Sequence, residues 1–181
     1  MPDYIDHAAL VSAGFGLKGL KTWRTPDGGG WQYTLLHLGS PVAVITEEGN
    51  GGALRIDWTN LRWDDSIFVP PNVTPAQEKK ALAQGEKSRT ARAALAQVTA
   101  AQPHVVTFEG MKPMQVNEEM ALSAILDLEE IRRLCKKKLA MRLDGKVMTL
   151  NRPYDAAMAA HVRAKWPAAI ILNESPLYRT V

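Results

Sequence analysis

Reactive side chains are scarce in this chain of 181 residues, which contains one cysteine and four histidines. Basic residues flank Cys135 in the sequence, and nearby cations could lower the pKa of its thiol and make it nucleophilic. Cys135 also follows Ile131 by four residues on an apolar helical stripe, where a cysteine acts as a small hydrophobic side chain. This structural role is favoured, and an enzyme with Cys135 or a histidine at its centre remains an alternative.

The histidines do not have the spacing of a metal site. They lie far apart in the sequence, at His7, His37, His104 and His161. No HExxH or HxxxH pair occurs, and a single cysteine cannot begin a zinc knuckle. His161 shares a helix face with Met158 and Val162, which predicts a packed or boundary side chain. We therefore predict no metal, no cofactor and no catalytic residue.

The segment EEGNGGALRIDW, residues 47–58, could be a phosphate-binding loop or a turn between strands. A phosphate loop places its glycines between a strand and a helix, because the helix N-terminus holds the phosphate. Here ALRIDW follows the glycines and alternates in the way a strand does. The pattern predicts a turn, and Glu47 and Glu48 make this acidic turn a candidate contact loop.

The strongest charge asymmetry lies between residues 132 and 152, where Asp144 is the single acidic residue. The basic residues there are Arg132, Arg133, Lys136, Lys137, Lys138, Arg142, Lys146 and Arg152. Such a patch could neutralise several phosphates of a nucleic acid, and binding would then depend steeply on salt. The simpler interpretation is a helix end whose cations stabilise the helix dipole and keep the protein soluble.

Four of the tryptophans fall in the first half of the chain, at Trp23, Trp31, Trp58 and Trp63. Core packing is the favoured role for each one taken singly. Trp58 and Trp63 lie near a polar loop and are also candidate exposed anchors, because tryptophan is frequent in binding hot spots. The candidate contact residues are therefore Arg132, Arg133, Lys136, Lys137, Lys138, Arg142, Trp58, Trp63, Glu47 and Glu48.

Composition limits the class of protein. The chain is 46% hydrophobic and 23% charged, with a net charge of +3 and a pI near 9.0. These values are typical of a soluble globular domain, or of two small subdomains. No apolar run approaches the roughly 18 residues of a membrane span. The start lacks the basic region of a secretory signal, and one cysteine suits a reducing compartment, so we expect a cytoplasmic protein.

The elements that would carry these residues form an α+β pattern. Short strands separated by glycine turns predict an N-terminal antiparallel meander, because parallel strands need long crossovers. Asp27-Gly28 is the predicted turn of its first hairpin. An Ala-rich helix follows, with Thr74 as N-cap and Gln77 closing a capping box. Gly85 is expected to weaken the middle of this helix by about 1 kcal/mol.

The second half predicts a helix, a hairpin, a helix and a strand. A strand over residues 104–110 precedes a core helix that is capped by Asn117. Asp144-Gly145 predicts a hairpin, Pro153 a helix start, and AAIILNES at residues 168–175 a buried strand. The chain thus divides into a β-sheet region at 1–73, the Ala-rich helix at 74–102 and an α+β region at 103–181, as one compact domain or two subdomains.

Two stretches together resemble small uncharacterised accessory proteins of phages and plasmids. The first is GSPVAVITEEGNGGALRIDW, with its Gly-x-Gly-Gly turn between two strands. The second is KKKLAMRLDGKVMTLNRPYDAAMAAHVRAKWPAAIILNESP, with its C-terminal Ile-Leu-Asn-x-x-Pro. Inhibition of a host defence system, including CRISPR effectors, is a common role of such proteins. The resemblance implies an anti-defence protein, for example an anti-CRISPR.

Three functional hypotheses follow. The first is a non-enzymatic phage or plasmid protein in the bacterial cytoplasm that binds a host protein or ribonucleoprotein complex and inhibits it. The second is direct nucleic-acid binding through the patch at residues 132–138. The third is an enzyme whose site is assembled from scattered residues. The sequence does not determine the oligomeric state.

Overall fold

The computed structural model describes residues 6–50, 52–102 and 115–179. Its helices are α1 (His7–Ser12), α2 (Pro75–Ala100), α3 (Glu118–Lys137), α4 (Ala156–Lys165) and a short 3-10 helix (Leu172–Glu174). Its strands are β1 (Phe15–Thr25), β2 (Gly28–His37), β3 (Ser40–Glu47), β4 (Arg55–Trp58), β5 (Leu139–Leu143), β6 (Lys146–Leu150) and β7 (Ile170–Ile171). The α+β prediction is confirmed. The strand predicted over residues 104–110 lies outside the described residues.

The N-terminal sheet is the predicted antiparallel meander, with strand order β1-β2-β3-β4. Its first hairpin differs from the prediction in one detail. Thr25 pairs with Gly28, so Pro26 and Asp27 form the two-residue turn, and Gly28 alone of the predicted Asp27-Gly28 pair has a positive φ. The turn depends on the strand register, which local sequence does not show.

Helices α2 and α3 cover one face of this sheet. Leu17, Leu35 and Ile45 on the sheet pack in one buried cluster with Leu95 of α2 and Ile125 of α3. The register places these three sheet residues on a single face, because Leu17 pairs with Leu35, and Ile45 pairs with Tyr33, two positions before Leu35 on β2. None of the described helices packs on the opposite face of the sheet through this cluster. That face carries mainly polar side chains.

Helix α2 begins with the predicted capping box between Thr74 and Gln77. Its buried residues recur every three or four positions and are mostly small: Ala81, Gly85, Ser88, Ala91 and Leu95. These residues form a narrow buried stripe, whereas Leu82 lies outside it and is 43% exposed. Gly85 belongs to this buried stripe, so its role goes beyond lowering the helix propensity. A Cβ atom there would lie 2.8 Å from the backbone oxygen of Asn60.

Helix α3 is capped by Asn117 as predicted, and the Asp144-Gly145 turn joins β5 and β6, with φ of 49° and 74°. Two predictions for the C-terminal half were wrong in their limits. Helix α4 begins at Ala156, not at Pro153, because the Asp155 carboxylate accepts from the Ala157 N–H and caps it. The predicted strand over residues 168–175 is only two residues long, and Ile170 is 62% exposed.

A buried asparagine takes the place of the missing part of that strand. Asn173 Oδ1 accepts from the backbone N–H of Ala140 on β5 at 2.7 Å. Its Nδ2 donates to the carbonyls of Cys135 and Lys138, each at 2.9 Å, at the end of α3. One amide side chain therefore joins three elements, and the chain can leave the sheet into the 3-10 helix without losing the bond to β5.

Candidate functional site

The loop that carries Trp63 is the most exposed apolar feature of the described chain. The Trp63 side chain is 88% exposed, the highest value among the large hydrophobic residues that the structure describes. We call residues 61–67 the Trp63 loop. Trp58, predicted as its companion, is half-buried, packs on the core cluster and donates from Nε1 to Glu118 Oε1 at 3.2 Å. The structure therefore separates an exposed tryptophan from one that joins the sheet to α3.

Internal bonds close the Trp63 loop into a small hairpin. Leu61 and Ile67 form an isolated antiparallel bridge, and the Arg62 N–H donates to the Ser66 carbonyl at 2.9 Å. Asp64 accepts from both the N–H and the hydroxyl of Ser66, which lowers the pKa of its carboxyl group. The Asp64 carboxylate is thus bound within the loop, and the Asp65 carboxylate is bound by Arg92 of α2. The two do not form a pair for acid-base chemistry.

Arg92 of helix α2 holds the Trp63 loop in place. Its guanidinium donates to Asp65 Oδ1 at 2.5 Å and to the backbone oxygen of Trp63 at 3.4 Å. Asp65 itself has a φ of 61°, a conformation that most side chains avoid. The arginine on a rigid helix therefore holds the backbone of the exposed tryptophan in one position.

The basic segment is less uniform than its sequence suggests. Arg132 is half-buried and donates to the Leu177 carbonyl, whereas Arg133 is exposed and lies 4.0 Å from Glu130. Lys136 and Lys137 are exposed in the last turn of α3, where their charge opposes the negative end of the helix dipole. The remaining two candidates, Lys138 and Arg142, are half-buried.

A pocket of about 250 Å³ opens beside the last turn of α3. It is lined by Cys135, Lys136, Tyr154, Asn173, Tyr178 and Arg179. The Tyr154 hydroxyl donates to Glu174 Oε1 at 3.2 Å, and burial, followed by this hydrogen bond, raises the pKa of Tyr154. The positive charge of the lining comes from Lys136 and Arg179. The pocket was not predicted because its residues come from four separate segments without a common motif.

Cys135 is half-buried in the wall of this pocket. Burial raises the pKa of its thiol, despite the basic residues that are close in sequence. A raised pKa leaves less thiolate at neutral pH, and the thiolate is the nucleophile. The geometry thus favours the packing role over the reactive one.

We expect Cys135 to react with iodoacetamide only at unusually high pH. Because folding disfavours its thiolate, the rate should reach half of its maximum above about pH 8.5, the ordinary value for cysteine. The protein unfolded in urea has the same single thiol and serves as the control, with an ordinary midpoint. A midpoint in the folded protein below that of the unfolded control would contradict the packing role.

Both acidic residues of the glycine turn after β3 bind groups of the protein itself. Glu47 Oε1 accepts from the Gly49 N–H at 2.9 Å, and Glu48 lies 3.5 Å from Arg55. The turn joins two antiparallel strands, as predicted. Gly49, with a φ of 83°, lies so close to β2 that a Cβ atom on it would be 2.8 Å from the Gly30 nitrogen and 2.9 Å from the Gly29 carbonyl carbon. Gly49 and the glycines at residues 28–30 therefore pack backbone against backbone.

The histidines do not converge where the structure describes them. His7 and His37 are buried, and His7 Nδ1 lies 3.2 Å from the Tyr178 hydroxyl. His161 is exposed on α4, so its predicted packed or boundary position was wrong; the buried face of this helix carries Ala159 and Val162. Within the described ranges, no group of three or more histidine, cysteine, aspartate or glutamate residues could hold a metal ion.

None of the family models, curated proteins and solved structures compared with the chain matches it. A separate finding concerns the helices of the described residues: none is both long enough and apolar enough to cross a membrane.

Proposed function

We propose that the protein is a non-enzymatic binding protein whose principal contact is the Trp63 loop. The observation that supports this function is an indole 88% exposed at the tip of a closed hairpin. Leaving so large an apolar surface in water is unfavourable, and burial of an aromatic anchor in a partner's pocket is the usual source of binding hot spots.

Pre-organisation strengthens this interpretation. Binding costs entropy when a loop must be ordered, and a loop already fixed loses less of it. The bonds from Arg92 to Asp65 and to the Trp63 carbonyl supply this order in the free protein. The ion pair with Asp65 also neutralises the positive charge of Arg92 next to the loop. The Trp63 loop therefore suits an apolar pocket on a protein better than a chain of phosphates.

The proposed partner is a host protein or ribonucleoprotein complex in the bacterial cytoplasm. The two stretches that resemble phage and plasmid accessory proteins support this class of partner, and inhibition of a defence complex such as a CRISPR effector is the specific role that we propose. A second candidate is nucleic-acid binding through residues 132–138. It is supported by Lys136 and Lys137, which are exposed and have no ion pair in the described part of the chain.

Replacing Trp63 with alanine should weaken partner binding by about 2 kcal/mol or more, the loss typical of a hot-spot tryptophan. The partner is first isolated from bacterial lysate with the wild-type protein, and its affinity for each variant is then measured by calorimetry. Ile170→Ala, which also shortens an exposed apolar side chain, is the matched control and should bind normally. Equal affinities of Trp63→Ala and wild type would contradict the proposal.

A further inference from the structure

The outer half of the β1–β2 hairpin carries an unusual concentration of positive charge. Residues 18–24 of β1 are all exposed, and they include Lys18, Lys21 and Arg24. No aspartate or glutamate occurs between residues 7 and 26. None of these three cations forms an ion pair with any residue that the structure describes. Their charge is therefore available to a partner.

A bulge in β1 brings two of these cations and a tryptophan onto one face. Lys18 pairs with Thr34, Lys21 with Gln32, and Trp23 with Gly30. The partners are spaced by two on β2, so all three β1 side chains lie on the same face of the sheet. Without the register shift between Lys18 and Lys21, the lysines would point to opposite faces. The shared face is the one that the helices do not cover.

Trp23 provides a flat aromatic surface on this face. Its indole lies against the backbone of Gly30, where an added Cβ atom would collide with Nε1, Cε2 and Cζ2 of the ring. Gly30 is buried as a result, while Trp23 remains 37% exposed. The ring thus packs against the strand at Gly30 while part of its surface stays in solvent, and an unpaired base can stack on such an exposed aromatic surface.

The other side chains on this face would not repel a chain of phosphates. Its cross-strand neighbours Thr34 and Gln32 are neutral and can form hydrogen bonds. On β4, Asp57 is bound by Arg55 at 3.0 Å, so this carboxylate is neutralised in place. The charge of the face near β1 is therefore positive, next to an aromatic platform.

We propose that this face, formed by Lys18, Lys21 and Trp23, binds single-stranded nucleic acid. The lysines contact successive phosphates, because their partners Thr34 and Gln32 are two positions apart on β2, which separates them by about 7 Å along the strand. An unpaired base stacks on Trp23, a contact that a duplex would not permit without unstacking. Lysine-phosphate contacts and base stacking both tolerate many sequences, so the site binds with little sequence preference. This surface is distinct from the Trp63 loop and from residues 132–138.

The test is fluorescence anisotropy with labelled oligothymidylate and oligouridylate of about 15 nucleotides. The wild-type protein should bind at about 50 mM salt and much more weakly at about 200 mM. The double variant Lys18→Glu, Lys21→Glu should lose at least about tenfold in affinity at the lower salt. Trp23→Leu, which keeps an apolar cover over Gly30, should lose about tenfold as well. The two oligonucleotides show whether the site prefers DNA or RNA.

The matched control is Lys79→Glu, Lys80→Glu, which makes the same charge change on the exposed first turns of α2. It should retain most of the affinity, and circular dichroism should show every variant folded. Three results would overturn the proposal: no binding by the wild type at the lower salt, equal losses in both double variants, or loss only in Arg133→Glu, Lys137→Glu. Normal oligonucleotide binding by Trp63→Ala would show that this site is independent of the proposed protein contact.

Discussion

Replacing Asn173 with alanine is expected to lower the free energy of unfolding by about 2–4 kcal/mol, because one buried and two partly buried hydrogen bonds are lost together. The change leaves the N–H of Ala140, a fully buried residue, without its acceptor. It also removes the donor to the carbonyls of Cys135 and Lys138 at the end of α3. Unpaired buried backbone groups are among the larger causes of destabilisation.

Urea unfolding followed by circular dichroism measures this loss. Asn151→Ala is the control, because Asn151 is exposed in the link after β6, and we expect a change within about 0.5 kcal/mol there. Asn173→Asp preserves the acceptor for Ala140 but places a carboxylate against two carbonyl oxygens, so it should not restore stability. Near-wild-type stability of Asn173→Ala would show that the three bonds contribute little.

Gly85→Ala is expected to destabilise the protein by about 1–2 kcal/mol, although the helix propensity of alanine alone predicts a gain of about 1 kcal/mol. The added methyl group would lie 2.5 Å from Ile67 Cγ2 and 2.8 Å from the backbone oxygen of Asn60. The isoleucine can turn away, but the backbone of the segment after β4 must shift. Crowding should therefore exceed the gain in propensity.

The control for this substitution is the reverse change at an exposed position of the same helix. Ala83→Gly removes a methyl group that faces solvent, and it should destabilise by about 1 kcal/mol through propensity alone. Thermal unfolding of both variants gives the comparison. If Gly85→Ala instead raises the melting temperature, the close approach between α2 and Asn60 is not the reason for the glycine.

Several of the features predicted correctly from sequence have local causes. The capping box of α2 needs only Thr74 and Gln77, and the turn of the second hairpin needs only Asp144-Gly145. The role of Gly85 was not predicted, because it depends on Asn60 and Ile67, which are distant in the sequence. The same holds for the predicted C-terminal strand, which ends where the side chain of Asn173 replaces a backbone pair.

The candidate sites show the same division. Composition pointed to Trp58 and Trp63 together, but burial against α3, which only the fold supplies, separates them. The face with Lys18 and Trp23 was missed because its residues align only through the bulge in β1. The basic segment was predicted from its charge, yet the half-burial of Arg132 and Arg142 depends on elements that follow α3. Patterns of residue type thus identify candidates, and tertiary contacts decide which of them reach solvent.

The contact between Gly49 and the glycines at residues 28–30 bears on how this protein can diverge. A Cβ atom at Gly49 would lie 2.8 Å from the Gly30 nitrogen, and one at Gly28 would lie 2.5 Å from the Gly49 carbonyl oxygen. A side chain gained at either position therefore has no space unless the other segment moves. Selection on the hairpin and selection on the turn after β3 therefore act as a single constraint. Among related chains, Gly28 and Gly49 would be conserved together or replaced together.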